Sequence, residues 1–122
     1  AVGAVIWVQQ EDLMDAVTAV SGSGPAYFFL FMEAMEHSAR VLGLPMEVAW
    51  ALALHTGAGA TRMALESGQD LAQLRKNVTS PGGTTAAALE IFEKAGLREI
   101  VDNALTGARD RGREIAREFG QE

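Results

Sequence analysis

The stretch "VTSPGGTTAAAL" occupies Val78 to Leu89. Between Thr79 and Thr85 it holds one proline, two glycines and four hydroxyl side chains, and it then runs into alanines. Proline presets a turn, and glycine supplies backbone conformations that other residues avoid. Alanine is the strongest helix former. The stretch therefore reads as a corner that opens a helix at about Thr84. Two glycines ahead of a helix also let the N–H groups of Gly83, Thr84 and Thr85 converge. At a helix N-terminus such groups and the dipole make an anion site. The hydroxyls of Ser80, Thr84 and Thr85 add neutral donors. The lysine of a nucleotide P-loop is missing, so a small carboxylate suits this cradle better than a triphosphate. On the residues alone, an ordinary helix cap stays open as the other reading.

Outward from this corner the pattern is helical. Asp70 is an N-cap for a short helix over "LAQLRKNV". A helix follows the corner from about Thr84 to Lys94, with Gly96 as its C-cap, and a last one runs from Leu97 to Phe119. That last helix carries apolar residues at 97, 100, 101, 104, 105, 108, 115 and 119. Its other face mixes Arg109, Arg111, Arg113 and Arg117 with Glu99, Asp102, Asp110, Glu114 and Glu118. Mixed signs predict an ion-paired, solvated face.

Toward the N-terminus, "EDLMDAVTAV" places apolar residues at 13, 14, 17 and 20, and "SGSGP" at 21 to 25 breaks it. Pro25 reads as the first helical residue of the next segment, with Ser23 or Gly24 near the cap. That helix, Pro25 to about Leu42, is apolar on all sides for two turns, which suits a deep core or a subunit boundary. Pro45 to Ser67 forms another, whose stripe of Ala49, Ala53, Gly57 and Ala60 or Thr61, with Gly59 nearby, predicts a close helix crossing. The opening "AVGAVIWV" favours strand but has no strand partner, so residues 1–10 read as linker and 11–122 as one helical domain. The expected fold is all-α, with about six helices, in an obligate oligomer.

Bulk properties narrow the function. The chain has 122 residues, 48% hydrophobic and 21% charged, with net charge −6 and no cysteine. This is globular composition. An acidic balance argues against a nucleic-acid surface. Without cysteine there are no disulfides or thiolate metal sites. His37 and His55 lie too far apart to share a metal on one helix, so no metal site is expected. The longest apolar run, Ala26 to Met32, is too short for a bilayer. No signal segment opens the chain, and the default expectation is a cytoplasmic protein. "SGSGPAYF" invites a dinucleotide-loop reading, but that fingerprint needs a preceding strand and a small residue where Tyr27 stands. No Ser/His/Asp arrangement emerges.

Taken together, "LMDAVTAVSGSGPAYFF", "LGLPMEVA", "LRKNVTSPGGTTAAAL" and "GLREIVDNALTGARDRGREI" resemble the C-terminal domain of the pyrroline-5-carboxylate reductases. The resemblance spans essentially the whole chain. It implies an interlocked helical dimerisation domain of the 6-phosphogluconate dehydrogenase C-terminal-like type, in dimers that often build larger rings. It also implies reduction of 1-pyrroline-5-carboxylate to L-proline, in proline biosynthesis, with NADPH or NADH. Carried over residue by residue, Ser80, Pro81, Gly82, Gly83 and Thr84 would surround the substrate carboxylate. Thr85 would reach the ring nitrogen as the catalytic hydroxyl, and Asn77 would support the loop. Ser21, Gly22, Ser23, Gly24 and Pro25 would lie near the nicotinamide end of the cofactor. Such enzymes carry an N-terminal Rossmann domain that has no counterpart here, so a fragment, inactive alone, is the expectation. Two rivals are a stand-alone helical oligomerisation module and a related dehydrogenase domain acting on another imine or hydroxy acid.

Overall fold

A computed structural model describes residues 11–120, which are helical apart from short joints. The sequence-expected linker at 1–10 lies outside the described residues. Helix α1 (Glu11–Val17) passes into a π-helical turn (Thr18–Gly22), followed by α2 (Gly24–Val41), α3 (Met46–Ser67), α4 (Leu71–Asn77), α5 (Thr84–Lys94) and α6 (Leu97–Gly120). No strand occurs among the described residues. The all-α expectation with about six helices holds.

Most joints follow local chemistry. Gly43, at φ 108°, ends α2. The Gly43 N–H donates to Arg40 O at 2.9 Å and the Leu44 N–H to Ala39 O at 3.1 Å. These two bonds close the last turn around a left-handed residue that glycine adopts without a side-chain clash. Gly68 (φ 70°) and Gly96 (φ 84°) stop α3 and α5 in the same conformation. Pro45 sits one residue outside α3, as its N-cap, rather than as its first helical residue.

The joint between α1 and α2 departs from the sequence expectation. The helix does not break at Ser21. It widens into a π turn, in which the Ser23 N–H donates to Thr18 O at 2.9 Å, five residues back. The Tyr27 hydroxyl donates to Ala19 O at 2.8 Å, and Ala19 is buried. This tie satisfies a carbonyl inside the widened turn, where the regular ladder is interrupted. Pro25 accordingly falls second in α2, after Gly24.

The chain forms two compact units. One ends at Tyr27 and resumes at Leu97; the other is Phe28–Gly96. In the first, α6 lies against α1 and the π turn. A Cβ at Gly112 would come 3.0 Å from Asp15 Oδ1, so the backbone of α6 passes close to α1 there. In the second unit, the small-residue stripe of α3 does what its spacing predicts over half its length. Ala49 and Ala53 are buried, and a Cβ at Gly57 would stand 3.6 Å from Met32 Sδ of α2. Beyond that, Gly59 faces open space and Ala60 and Thr61 are exposed. Phe31 and Phe92 bring α2 and α5 together, with ring centroids 6.1 Å apart.

The described residues bury little else. Phe28, Phe29 and Leu30 are each about two-thirds exposed, at 67%, 66% and 67%. The apolar start of α2 is therefore not a deep core within this chain. Leu13, Met14, Ile100 and Phe119 of the other unit are exposed as well.

Candidate functional site

The short helix α4 carries the corner. Asp70 caps it, as its sequence position predicts: its Oδ1 accepts from the Gln73 N–H at 2.7 Å. At the far end the Val78 N–H reaches Arg75 O at 3.3 Å and the Thr79 N–H reaches Lys76 O at 3.1 Å. The Thr79 hydroxyl donates to Arg75 O at 2.5 Å. These bonds satisfy carbonyls that a helix end otherwise leaves to water.

Beyond Thr79 the chain makes a β-turn over Ser80–Gly83. The Gly83 N–H donates to Ser80 O at 3.1 Å, and Gly82 takes φ 73°. Proline at the second position and a left-handed glycine at the third are the requirements of a type II turn. The second glycine has a different cause. Gly83 has negative φ (−89°) and serves as N-cap of α5. A Cβ there would come 3.2 Å from Ser80 O, the oxygen that closes the turn.

Gly83 offers no side chain to cap α5. The first helical bond runs from the Ala87 N–H to Gly83 O at 3.2 Å. The N–H groups of Thr84, Thr85 and Ala86 are thus left without a carbonyl or a cap to bond. Here the structure corrects the sequence reading. The N–H of Gly83 is consumed by its own turn, and Ala86 takes its place in the open set. No acidic residue sits in the first turn of α5, so nothing opposes the positive end of its dipole. Ser80, Thr84 and Thr85 are exposed, and no hydrogen bond within the described residues engages their hydroxyls. The arrangement can bind an anion with three N–H groups and neutral hydroxyls.

Asn77, expected to support the loop, is held by two residues that the sequence reading did not single out. Its Oδ1 accepts from Gln73 Nε2 at 2.8 Å, and its Nδ2 donates to Gln69 Oε1 at 3.1 Å. The spacing of Gln73 and Asn77, one helical turn, could have signalled the first bond. The second spans eight residues across the helix cap and carries no local signature.

Ser21, Gly22, Ser23, Gly24 and Pro25 lie in the other unit. The Ser21 hydroxyl donates to Val17 O at 2.9 Å, and the Ser23 N–H is taken by the π turn. Neither glycine has positive φ. With no strand among the described residues and no cation in this segment, these residues do not make a dinucleotide site by themselves. His37 and His55 are exposed, and no metal-holding cluster occurs among the described residues. On α6 the mixed charges pair as expected, Arg109 with Asp110 at 3.0 Å and Arg111 with Glu114 at 2.9 Å. The hydrogen bond to Glu114, then the charge of Glu118, raises the Arg111 guanidinium above its ordinary range. No described helix is long and apolar enough to cross a membrane.

Comparison with known proteins agrees with this reading of the fold. The family described as "Pyrroline-5-carboxylate reductase dimerisation" matches residues 11–115. The chain is 50% identical to pyrroline-5-carboxylate reductase of Pseudomonas aeruginosa over 121 residues, which is 99% of this chain and 44% of that protein. It is 44% identical to the same enzyme of Pisum sativum, over 91% of this chain and 41% of the relative. Among solved structures, pyrroline-5-carboxylate reductase of Coxiella burnetii superposes with a TM-score of 0.89 at 52% identity, covering 93% of this chain and 42% of the other. Pyrroline carboxylate reductase of Plasmodium falciparum, solved with NADP bound, gives 0.82 at 38% identity, covering 88% and 43%. The chain spans less than half the length of these relatives.

Proposed function

The chain belongs to the pyrroline-5-carboxylate reductase dimerisation family, and from that premise we propose that it is the C-terminal, substrate-binding and dimerising domain of an enzyme that reduces 1-pyrroline-5-carboxylate to L-proline with NADPH or NADH. The observation that carries this reading is the corner from Ser80 to Ala86. Its three open N–H groups and neutral hydroxyls suit one small carboxylate. With that carboxylate fixed, the imine of the ring is held in a single orientation, and proximity contributes to the rate. The Thr85 hydroxyl, within the first turn at the positive end of α5, donates to the ring nitrogen as its charge changes. The nicotinamide supplies hydride when bound, and its dinucleotide is held mainly by a separate domain of the intact enzyme. Ser21 to Pro25 line the nicotinamide end without gripping the phosphates. This chain alone then binds weakly and does not turn over.

The exposed apolar residues of both units become the surface a second copy covers. Burying a large apolar side chain is worth about 1.5–3 kcal/mol, so Phe28, Phe29 and Leu30 alone favour a homodimer strongly. Such dimers are then joined into a ring in the cytoplasm. The test is direct. Purified intact enzyme is expected to consume NADPH or NADH only when 1-pyrroline-5-carboxylate is added. Equal consumption with and without that substrate contradicts the proposal.

A further inference from the structure

The carboxamides around Asn77 form a directed chain. Gln73 Nε2 donates to Asn77 Oδ1, and Asn77 Nδ2 donates to Gln69 Oε1. Asn77 is therefore gripped through its oxygen from one side and through its nitrogen from the other, which fixes the plane of its amide. The residues differ in position. Gln69 precedes the cap of α4, Gln73 lies one turn before Asn77, and Asn77 is the last residue of the helix. The Gln69–Asn77 bond thus ties the entry of α4 to its exit.

Such a tie matters because α4 has only seven residues. A helix that short does not hold itself in water. Its geometry depends on the Asp70 cap, the Thr79 hydroxyl on Arg75 O and the carboxamide chain. From its last residue the backbone enters the turn that presents Ser80 and starts α5. A rotation of Asn77 would be passed directly to that turn. Three consecutive amides in one orientation exceed what an isolated exposed pair needs, and they sit where the anion loop leaves its platform.

We propose that Gln69 and Gln73 are positioning residues for the anion loop, acting through the clamped Asn77 carboxamide. This rests on the reading that Ser80 to Ala86 receive the substrate carboxylate. Neither glutamine touches the substrate. Their removal loosens the exit of α4 and weakens carboxylate binding more than it slows the step that follows.

The test uses the intact enzyme and three neutral variants, Gln69→Leu, Gln73→Leu and Asn77→Leu, with each glutamine variant also combined with Asn77→Leu. Losing one such hydrogen bond is expected to raise KM for 1-pyrroline-5-carboxylate about 3- to 10-fold, with a smaller change in kcat. Added to Asn77→Leu, neither glutamine variant is expected to raise KM further, because residues acting through one partner are not additive. Unchanged KM in both single variants, or a full additive rise on Asn77→Leu, overturns the proposal. A general loss of folding would instead lower kcat and thermal stability together, and that pattern also counts against it. If the wild-type enzyme shows no turnover of this imine, the proposed function falls on its own. The clamp is then read from the side-chain amide signals of Asn77 in 15N-labelled enzyme. One Nδ2 proton shifted downfield and slowed in solvent exchange, with both features lost in Gln69→Leu, supports it; free-amide shifts and fast exchange of both protons in the wild type overturn it.

Discussion

Two corners of this chain share a vocabulary and differ in physics. Ser21–Pro25 and Ser80–Thr85 both mix serine, glycine and proline, and both precede a helix. At the first, the chain never leaves helical geometry. Its Ser21 hydroxyl and Ser23 N–H are spent on the carbonyls of Val17 and Thr18, and neither glycine takes positive φ. At the second, the chain makes a full turn with Gly82 left-handed, and Gly83 as cap leaves three N–H groups open. Composition alone therefore does not make a cradle. What makes it is the side-chain-free cap and the placement of proline before, not after, the glycines.

The largest effect separating the two corners is catalytic. In the intact enzyme, Thr85→Ala is expected to lower kcat about 100- to 1000-fold, the range for removing a donor from a charge-stabilising site. Ser21→Ala removes only a hydroxyl that bonds within its own helix, so steady-state kinetics should show a far smaller loss. Wild-type turnover in Thr85→Ala removes the role assigned to that hydroxyl.

Assembly comes next. Light scattering at micromolar concentration should give this chain twice the mass of a single copy. A monomer would leave Phe28, Phe29 and Leu30 exposed without reason and would sever the link between this fold and dimerisation.

The glycines give a smaller contrast, read by chemical denaturation. Gly82→Ala forces a Cβ into a left-handed conformation and should cost about 1–2 kcal/mol. Gly24→Ala meets no atom within 4 Å and has no positive φ. It should be neutral or stabilise by about 0.5–1 kcal/mol, the usual preference for alanine in a helix. Equal losses at the two positions would erase the distinction between the corners. Smallest of all, Asp70→Ala removes the cap of α4 and should cost about 1 kcal/mol, with a matching loss of order at Val78 to Gly83 in hydrogen exchange.

The legible parts of the molecule were those fixed locally. Asp70 and Gly96 start and stop helices through bonds within a few residues, and the start of α5 at Thr84 follows from the turn before it. The small-residue stripe was legible up to Gly57, because Ala49, Ala53 and Gly57 share one face. The π turn was not. It depends on Tyr27 reaching back to Ala19 O, a bond that no propensity at Ser21 announces. The open donor set was nearly legible. The choice between Gly83 and Ala86 turned on whether Gly83 N–H closes the type II turn, which the sequence permits but does not force. Gln69 escaped notice because its bond to Asn77 crosses a helix cap.

The central claim is that the corner at Ser80 to Ala86, and not the one at Ser21 to Pro25, receives the carboxylate. A crystal structure of the intact enzyme with L-proline tests it most directly. The expected result places the proline carboxylate oxygens about 2.7–3.2 Å from the backbone nitrogens of Thr84, Thr85 or Ala86. A carboxylate bound elsewhere, with those three N–H groups facing water, contradicts it.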